Sequence, residues 1–122
     1  MKILFLLCAL IFCWCLFSVL HLRVFVVASD SMFPAIKRGD VVFVQKRSDY
    51  ALREIISFQS LRSSEVITHR VVGIINAGVF TTKGDANSLA DRNEVMQGSV
   101  IGQVIFTIPL LGYPVLWLQW LW

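Results

Sequence analysis

The chain has 122 residues, room for one small domain, and 57% of them are hydrophobic against 16% charged. The net charge of +3 is made of scattered signs with no basic run, which leaves no footprint for nucleic acid. All the cysteines, Cys8, Cys13 and Cys15, fall in the first apolar segment, so the polar middle can build neither a disulfide framework nor a thiolate zinc site.

That first segment, residues 3–20 (ILFLLCALIFCWCLFSVL), carries no charge. Extended to Leu22 it reaches roughly 30 Å as a helix, about one hydrocarbon core. Residues 1–22 are therefore read as a transmembrane anchor, its cysteines serving as small apolar residues against lipid or a neighbouring helix. A secretory signal peptide is the competing reading, with Lys2, an apolar core and Val26-Val27-Ala28 before a cut. The core is longer than the roughly 7–15 residues such a segment uses. Cleavage after Ala28 would also leave Ser31 at the extreme N-terminus. The retained anchor is preferred.

Residues 23–103 hold every charge except Lys2. Val24–Val27 is a short apolar strand leading into Ser29. The turn Arg38-Gly39-Asp40 precedes Val41–Gln45, rich in β-branched residues. Ile55–Phe58 is a further candidate strand. Val66–Ile75 is the longest, with Gly73 marking a bulge or kink. Asn76-Ala77-Gly78 turns it into Val79–Thr82, a hairpin. Residues 46–54 and 84–94 are polar and turn-rich, hence loops. Gly98–Thr107 gives a last strand. Many short strands at this spacing predict a mainly β fold, a small coiled antiparallel domain.

Residues 104–122 are uncharged again. They read either as a strand followed by a buried helix or as a second membrane span. Trp117, Trp120 and Trp122 stand where an interfacial aromatic belt would fall, and membrane helices tolerate Pro109 and Pro114 better than soluble ones do. The span is the preferred reading.

Four segments carry the chemistry. Ser29–Pro34 reads Ser-Asp-Ser-Met-Phe-Pro, with Pro34 fixing its own φ and biasing Phe33 away from helix. Ser31 there is a nucleophile a short distance beyond the anchor, and a free hydroxyl needs a base. His69, in the longest strand, is the histidine of the polar domain; His21 lies at the membrane boundary. Asp85 and Asp91 flank one loop, where acids mostly serve turns and caps; Asp30, Asp40 and Asp49 read the same way. One histidine and two loop acids give no ligand spacing for a metal, and no cofactor is expected.

Taken together, Ser-x-Ser-Met-x-Pro, then Gly-Asp-Val-Val at Gly39–Val42, Thr-His-Arg-Val-Val-Gly at Thr68–Gly73 and Lys-Gly-Asp-x-Asn-x-x-x-Asp-Arg at Lys83–Arg92 resemble the type I signal peptidases. The resemblance covers about Leu22 to Thr107. Most bacterial members carry lysine where His69 stands. Histidine resembles the branch of the endoplasmic reticulum, archaea and some spore-formers, which uses serine, histidine and aspartate. The resemblance implies Ser31 as nucleophile, His69 as general base and Asp91 as the acid that orients it. Asp85 matches a second, supporting acidic position. The Ser29 hydroxyl with the Ser31 N–H would form the oxyanion hole. Val27, Met32 and Phe33 are candidate walls for the substrate's small side chains.

The function implied is removal of N-terminal signal peptides after Ala-x-Ala-type sequences, by a membrane-bound serine endopeptidase whose β domain lies on the extracytoplasmic or lumenal face. Its partners would be signal peptides of exported preproteins, the lipid bilayer, and other subunits of a processing complex or the secretion translocon. The chain departs from the family in brevity, which fits a minimal member or a fragment. Two alternatives come from other classes. One is a non-catalytic adaptor that binds signal sequences on the same fold. The other is a self-processing membrane protein, suggested by Val-Val-Ala before Ser29.

Overall fold

A computed structural model describes residues 1–119. Helix α1 (Lys2–Val19) is uniformly apolar and buries none of its residues against the rest of the chain. Its length, about 27 Å at 1.5 Å per residue, and its composition suit a membrane crossing. Among the described residues it is the one helix long and apolar enough to do so. Edge-to-face contact of Phe17 with Phe43, at 6.4 Å between ring centroids, links the foot of α1 to the sheet.

The rest is one antiparallel sheet. Its strands are β1 (Leu22–Val26), β2 (Val41–Gln45), β3 (Ile55–Gln59), β4 (Val66–Asn76), β5 (Val79–Lys83), β6 (Val95–Met96) and β7 (Val100–Ile108), in the spatial order β1-β2-β7-β3-β4-β5-β6. The last long strand is thus central, inserted between β2 and β3. Val, Ile, Phe and Thr dominate these runs because branched and aromatic side chains pack well on a half-buried pleat. The register of β4 on β5 shifts between Val71 and Gly73, as the glycine suggested.

Two apolar clusters hold the sheet. One gathers Tyr50, Ile56, Phe58, Val71, Phe80, Val95 and Val100. The other gathers Met32, Ile36, Val42 and Val44, with Phe25 and Val27 of the β1 side packed on it. The buried Asp40 ties the ends of the second cluster together. Its carboxylate accepts the Lys37 N–H at 2.9 Å and the Leu110 N–H at 3.1 Å. Gly39 has φ +87°, and a Cβ there would overlap the Tyr113 ring. The turn therefore takes glycine for its backbone and for the close approach.

The closing stretch differs from the preferred sequence reading. Residues 104–108 belong to β7 and pair with β2 as far as Val41↔Ile108, so the β domain extends past residue 103. They are apolar because the strand is central, a pattern that composition alone does not separate from a span. A turn then leads into α2 (Tyr113–Gln119), which packs through Leu116 and leaves Trp117 exposed. Trp120 and Trp122 lie outside the described residues.

Candidate active site

Ser31 stands in the loop that leaves β1. The next side chain, Met32, is fully buried, and so is Ile36 one turn on; Ile36 N–H bonds the Met32 carbonyl at 3.0 Å. Burying a methionine contributes roughly 1.5–3 kcal/mol, so Met32 pins the backbone that carries the serine. Asp30 accepts the Arg38 N–H at 3.1 Å and closes the loop from its other end. The Ser31 carbonyl accepts the Ala86 N–H at 2.9 Å. A Cβ on Gly84 would lie 2.6 Å from that carbonyl oxygen, so this loop can approach Ser31 only because residue 84 has no side chain.

His69 comes from β4, opposite Ile56 of β3, and is buried against the edge of the Phe58 ring. Its Nε2 is 3.2 Å from Ser31 Oγ and its Nδ1 is 2.6 Å from Asp91 Oδ2. A neutral ring that donates Nδ1–H to the carboxylate turns the lone pair of Nε2 toward the serine hydroxyl. Asp91 lies in the loop after β5. Thr82 holds it twice: the Asp91 N–H bonds the Thr82 carbonyl at 2.8 Å, and the Thr82 hydroxyl donates to Asp91 Oδ2 at 2.7 Å. Hydroxyl, imidazole and carboxylate thus stand in series, the spacing that proton transfer from a serine requires. Ser29 Oγ lies 3.2 Å from Ser31 Oγ, within reach of the same reacting centre.

Beside Ser31 runs a groove of about 590 Å³. Residues 25–28 form one wall, 65–69 the other, and Met32 and Ile36 the floor. Both walls are unpaired strand edges. β1 pairs with β2 alone, and β4 gains its second neighbour, β5, only from Arg70 onward.

The structure brings Ser29, Ser31, His69 and Asp91 together and places Val27 and Met32 on the groove. Asp85 is directed elsewhere. It takes a two-point ion pair from Arg70, with Oδ1 to Nε at 2.8 Å and Oδ2 to Nη2 at 2.6 Å. Arg70 also donates to the Arg53 carbonyl at 2.8 Å. Hydrogen bonding from Arg70 holds the Asp85 carboxyl below the usual range, against an opposing push from burial; the charges of Arg70, Lys83 and His69 help less. Phe33 does not line the groove. Its ring is half exposed under Lys37 Nζ, 5.8 Å from the centroid, because the neighbouring Met32 takes the inward position. The sequence reading passed over Thr82, Arg70 and Gly84. A threonine in a strand and a glycine in a loop give no signal of their own; Arg70 follows His69 directly, and its outward alternation toward the Asp85 loop was the available clue. Among the described residues no cluster of three His, Cys, Asp or Glu side chains could hold a metal ion.

This fold and this constellation match the class that the motifs resemble, a type I signal peptidase. No family model matches the chain. Known relatives do. The signal peptidase complex catalytic subunit Sec11 of Pyrenophora tritici-repentis is 38% identical over 102 residues, covering 72% of this chain and 58% of its own. That of Colletotrichum graminicola is 34% identical over 101 residues, 72% of this chain and 59% of its own. The Zygosaccharomyces rouxii subunit is 30% identical over 112 residues, covering 81% and 67%. The chain belongs to the type I signal peptidase family, in the branch of the Sec11 subunits. It spans about three-fifths of the length of the first two of these relatives.

Proposed function

We propose that the protein is a membrane-anchored serine endopeptidase that removes N-terminal signal peptides from preproteins, working with the other subunits of a signal peptidase complex. The observation that carries this reading is the series Ser31 Oγ–His69 Nε2 at 3.2 Å and His69 Nδ1–Asp91 Oδ2 at 2.6 Å, at the end of a groove with two free strand edges. Helix α1 holds the β domain at the bilayer on the extracytoplasmic face, the endoplasmic-reticulum lumen in a eukaryote. A signal peptide leaving the same bilayer reaches the groove without leaving the membrane surface.

The preprotein lies extended between the walls. Val27 N–H and C=O bond Asp40 and Gly39 of the neighbouring chain segment, so the polar groups of Val26 and Ala28 point the other way, into the gap. By the same alternation the Glu65 carbonyl bonds Ser60, and the groups of Val66 and Thr68 face the gap from the opposite side. An extended peptide takes these as partners by strand addition. Val27, Met32 and Ile36 leave shallow apolar space, which selects small residues before the cut.

Ser31 Oγ attacks the carbonyl carbon while its proton passes to His69 Nε2. The negative charge that develops on the carbonyl oxygen meets the Ser29 hydroxyl and the Ser31 N–H. Asp91 holds the ring and stabilises the imidazolium. His69 then gives the proton to the leaving amine as the C–N bond breaks. Water, deprotonated by His69, hydrolyses the ester and regenerates Ser31. The test is incubation of the detergent-solubilised chain, alone and assembled with its complex, with a preprotein bearing Ala-x-Ala. N-terminal sequencing of the product should show a cut after the second alanine. Cleavage that persists with Ser31→Ala would sink the reading.

A further inference from the structure

The junction of α1 with the sheet holds a second cavity, of about 690 Å³, away from Ser31. Its geometry follows from the register. The Gln45 side-chain amide donates to the Leu20 carbonyl at 3.4 Å, and Leu22 pairs with Gln45. Lys46, which follows β2, is thereby brought beside the foot of the apolar helix, and Arg23 stands one residue into β1. Both are exposed and both line the cavity, together with the apolar Phe17, Leu22 and Ile101. No Asp or Glu lines it. Among the described residues neither Arg23 nor Lys46 has a carboxylate within ion-pair distance. The next cation, Arg47, is engaged by Gln103 at 2.5 Å and faces Glu54 at 3.9 Å.

Two unpaired cations therefore stand where a membrane-crossing α1 leaves the hydrocarbon. That is the depth of the phosphate groups of the facing leaflet. Apolar walls run from them back toward the helix. A counterion arriving from bulk water would find only the cations; an anionic lipid would satisfy both halves of the cavity. Cations near the carboxyl end of a helix also complement its dipole. That effect stabilises α1 but selects no lipid.

We infer that this junction binds the headgroup of an anionic phospholipid, its phosphate between Arg23 and Lys46 and an acyl chain along Phe17. Each basic residue at a membrane surface contributes about 1 kcal/mol toward anionic lipid, which is about fivefold in affinity. The lipid would fix the height and tilt of the β domain over the bilayer. The assignment does not depend on Ser31 acting as a nucleophile.

The test uses the full chain in nanodiscs of phosphatidylcholine with a minor fraction of spin-labelled phosphatidylserine or spin-labelled phosphatidylcholine. The motionally restricted fraction gives relative affinity. The wild type should prefer phosphatidylserine at least about fivefold. Arg23→Gln and Lys46→Gln should each remove most of that preference and the double variant all of it, while Arg62→Gln, in a distant exposed loop, leaves it intact. Absence of a preference in the wild type overturns the proposal. So does a preference that survives the double variant, or one that falls equally with Arg62→Gln. Displacement of the labelled lipid by inorganic phosphate in the millimolar range would mark a site for soluble anions and overturn the lipid assignment.

Discussion

Asp91 hangs from Thr82 by two hydrogen bonds, one from its backbone N–H and one onto the same Oδ2 that faces His69. Thr82 is fully buried, so water cannot replace its hydroxyl. Thr82→Val keeps the shape and removes the donor. The carboxylate then loses a hydrogen bond that contributes about 1.5–3 kcal/mol and is free to rotate away from the imidazole. Turnover should fall about tenfold to a hundredfold with little change in KM. Thr82→Ser should recover most of it. A Thr82→Val enzyme with wild-type kcat would show that the strand alone positions Asp91.

The two serines of the Ser29–Pro34 loop should separate cleanly. Ser31→Ala removes the attacking oxygen, and cleavage should drop on the order of 10⁴-fold or more while the protein stays folded in the membrane. Ser29→Ala removes a hydroxyl 3.2 Å from Ser31 Oγ, leaving the backbone donor in place. A loss on the order of 10²–10³ in kcat is expected. Single-turnover rates on an Ala-x-Ala preprotein distinguish the two. Equal losses would place Ser29 in the chain of proton transfer rather than beside the oxyanion.

Most strands were legible because their alternation and β-branched content match the pleat; Val41–Gln45 is one case and the Gly73 bulge another. Ser31, His69 and Asp91 were found through combined motifs, since their 38- and 22-residue separations carry no local signal of contact. What escaped is set by tertiary partners. Phe33 looked like a pocket residue because it is apolar and adjacent to Met32, but the turn sends only one of the two inward. The closing stretch looked like a span because a central strand and a membrane helix are both continuously apolar. The two-residue β6 is too short to show any period, and it exists only through pairing with β5.

Gly84 offers a test of how tightly the acid loop sets the nucleophile. A methyl group there would stand 2.6 Å from the Ser31 carbonyl oxygen and 2.7 Å from Asn87 Nδ2. Asn87 can turn aside; the Ser31 backbone, anchored by Met32, cannot move without displacing Oγ. Gly84→Ala should therefore reduce turnover about a hundredfold, the usual consequence of misplacing a reacting group by an ångström. Its melting temperature should fall less than that of Met32→Ala, which empties a buried site at a cost of about 2–5 kcal/mol. Kinetics and thermal unfolding of both variants check the order.

The two acids of one loop should part along stability and chemistry. Asp91→Asn leaves a side chain of the same size but can fix His69 in the wrong tautomer, so turnover should drop on the order of 10⁴-fold with the fold intact. Asp85→Asn instead breaks the two-point pair with Arg70. Because Arg70 keeps the Arg53 carbonyl and partial solvent contact, the loss should fall at the lower end of about 1–3 kcal/mol. Its pH dependence has a definite sign. The folded state holds the Asp85 carboxyl below its ordinary value, chiefly by hydrogen bonds from Arg70. The folded protein therefore prefers the ionised form, and the stabilisation is complete above the unfolded carboxyl pKa of about 4. It disappears as pH falls through the lower folded value. Thermal unfolding should show wild type above Asp85→Asn at neutral pH, with the gap narrowing as pH falls below about 4. A folded, inactive Asp85→Asn beside an active Asp91→Asn would exchange the roles of the two acids.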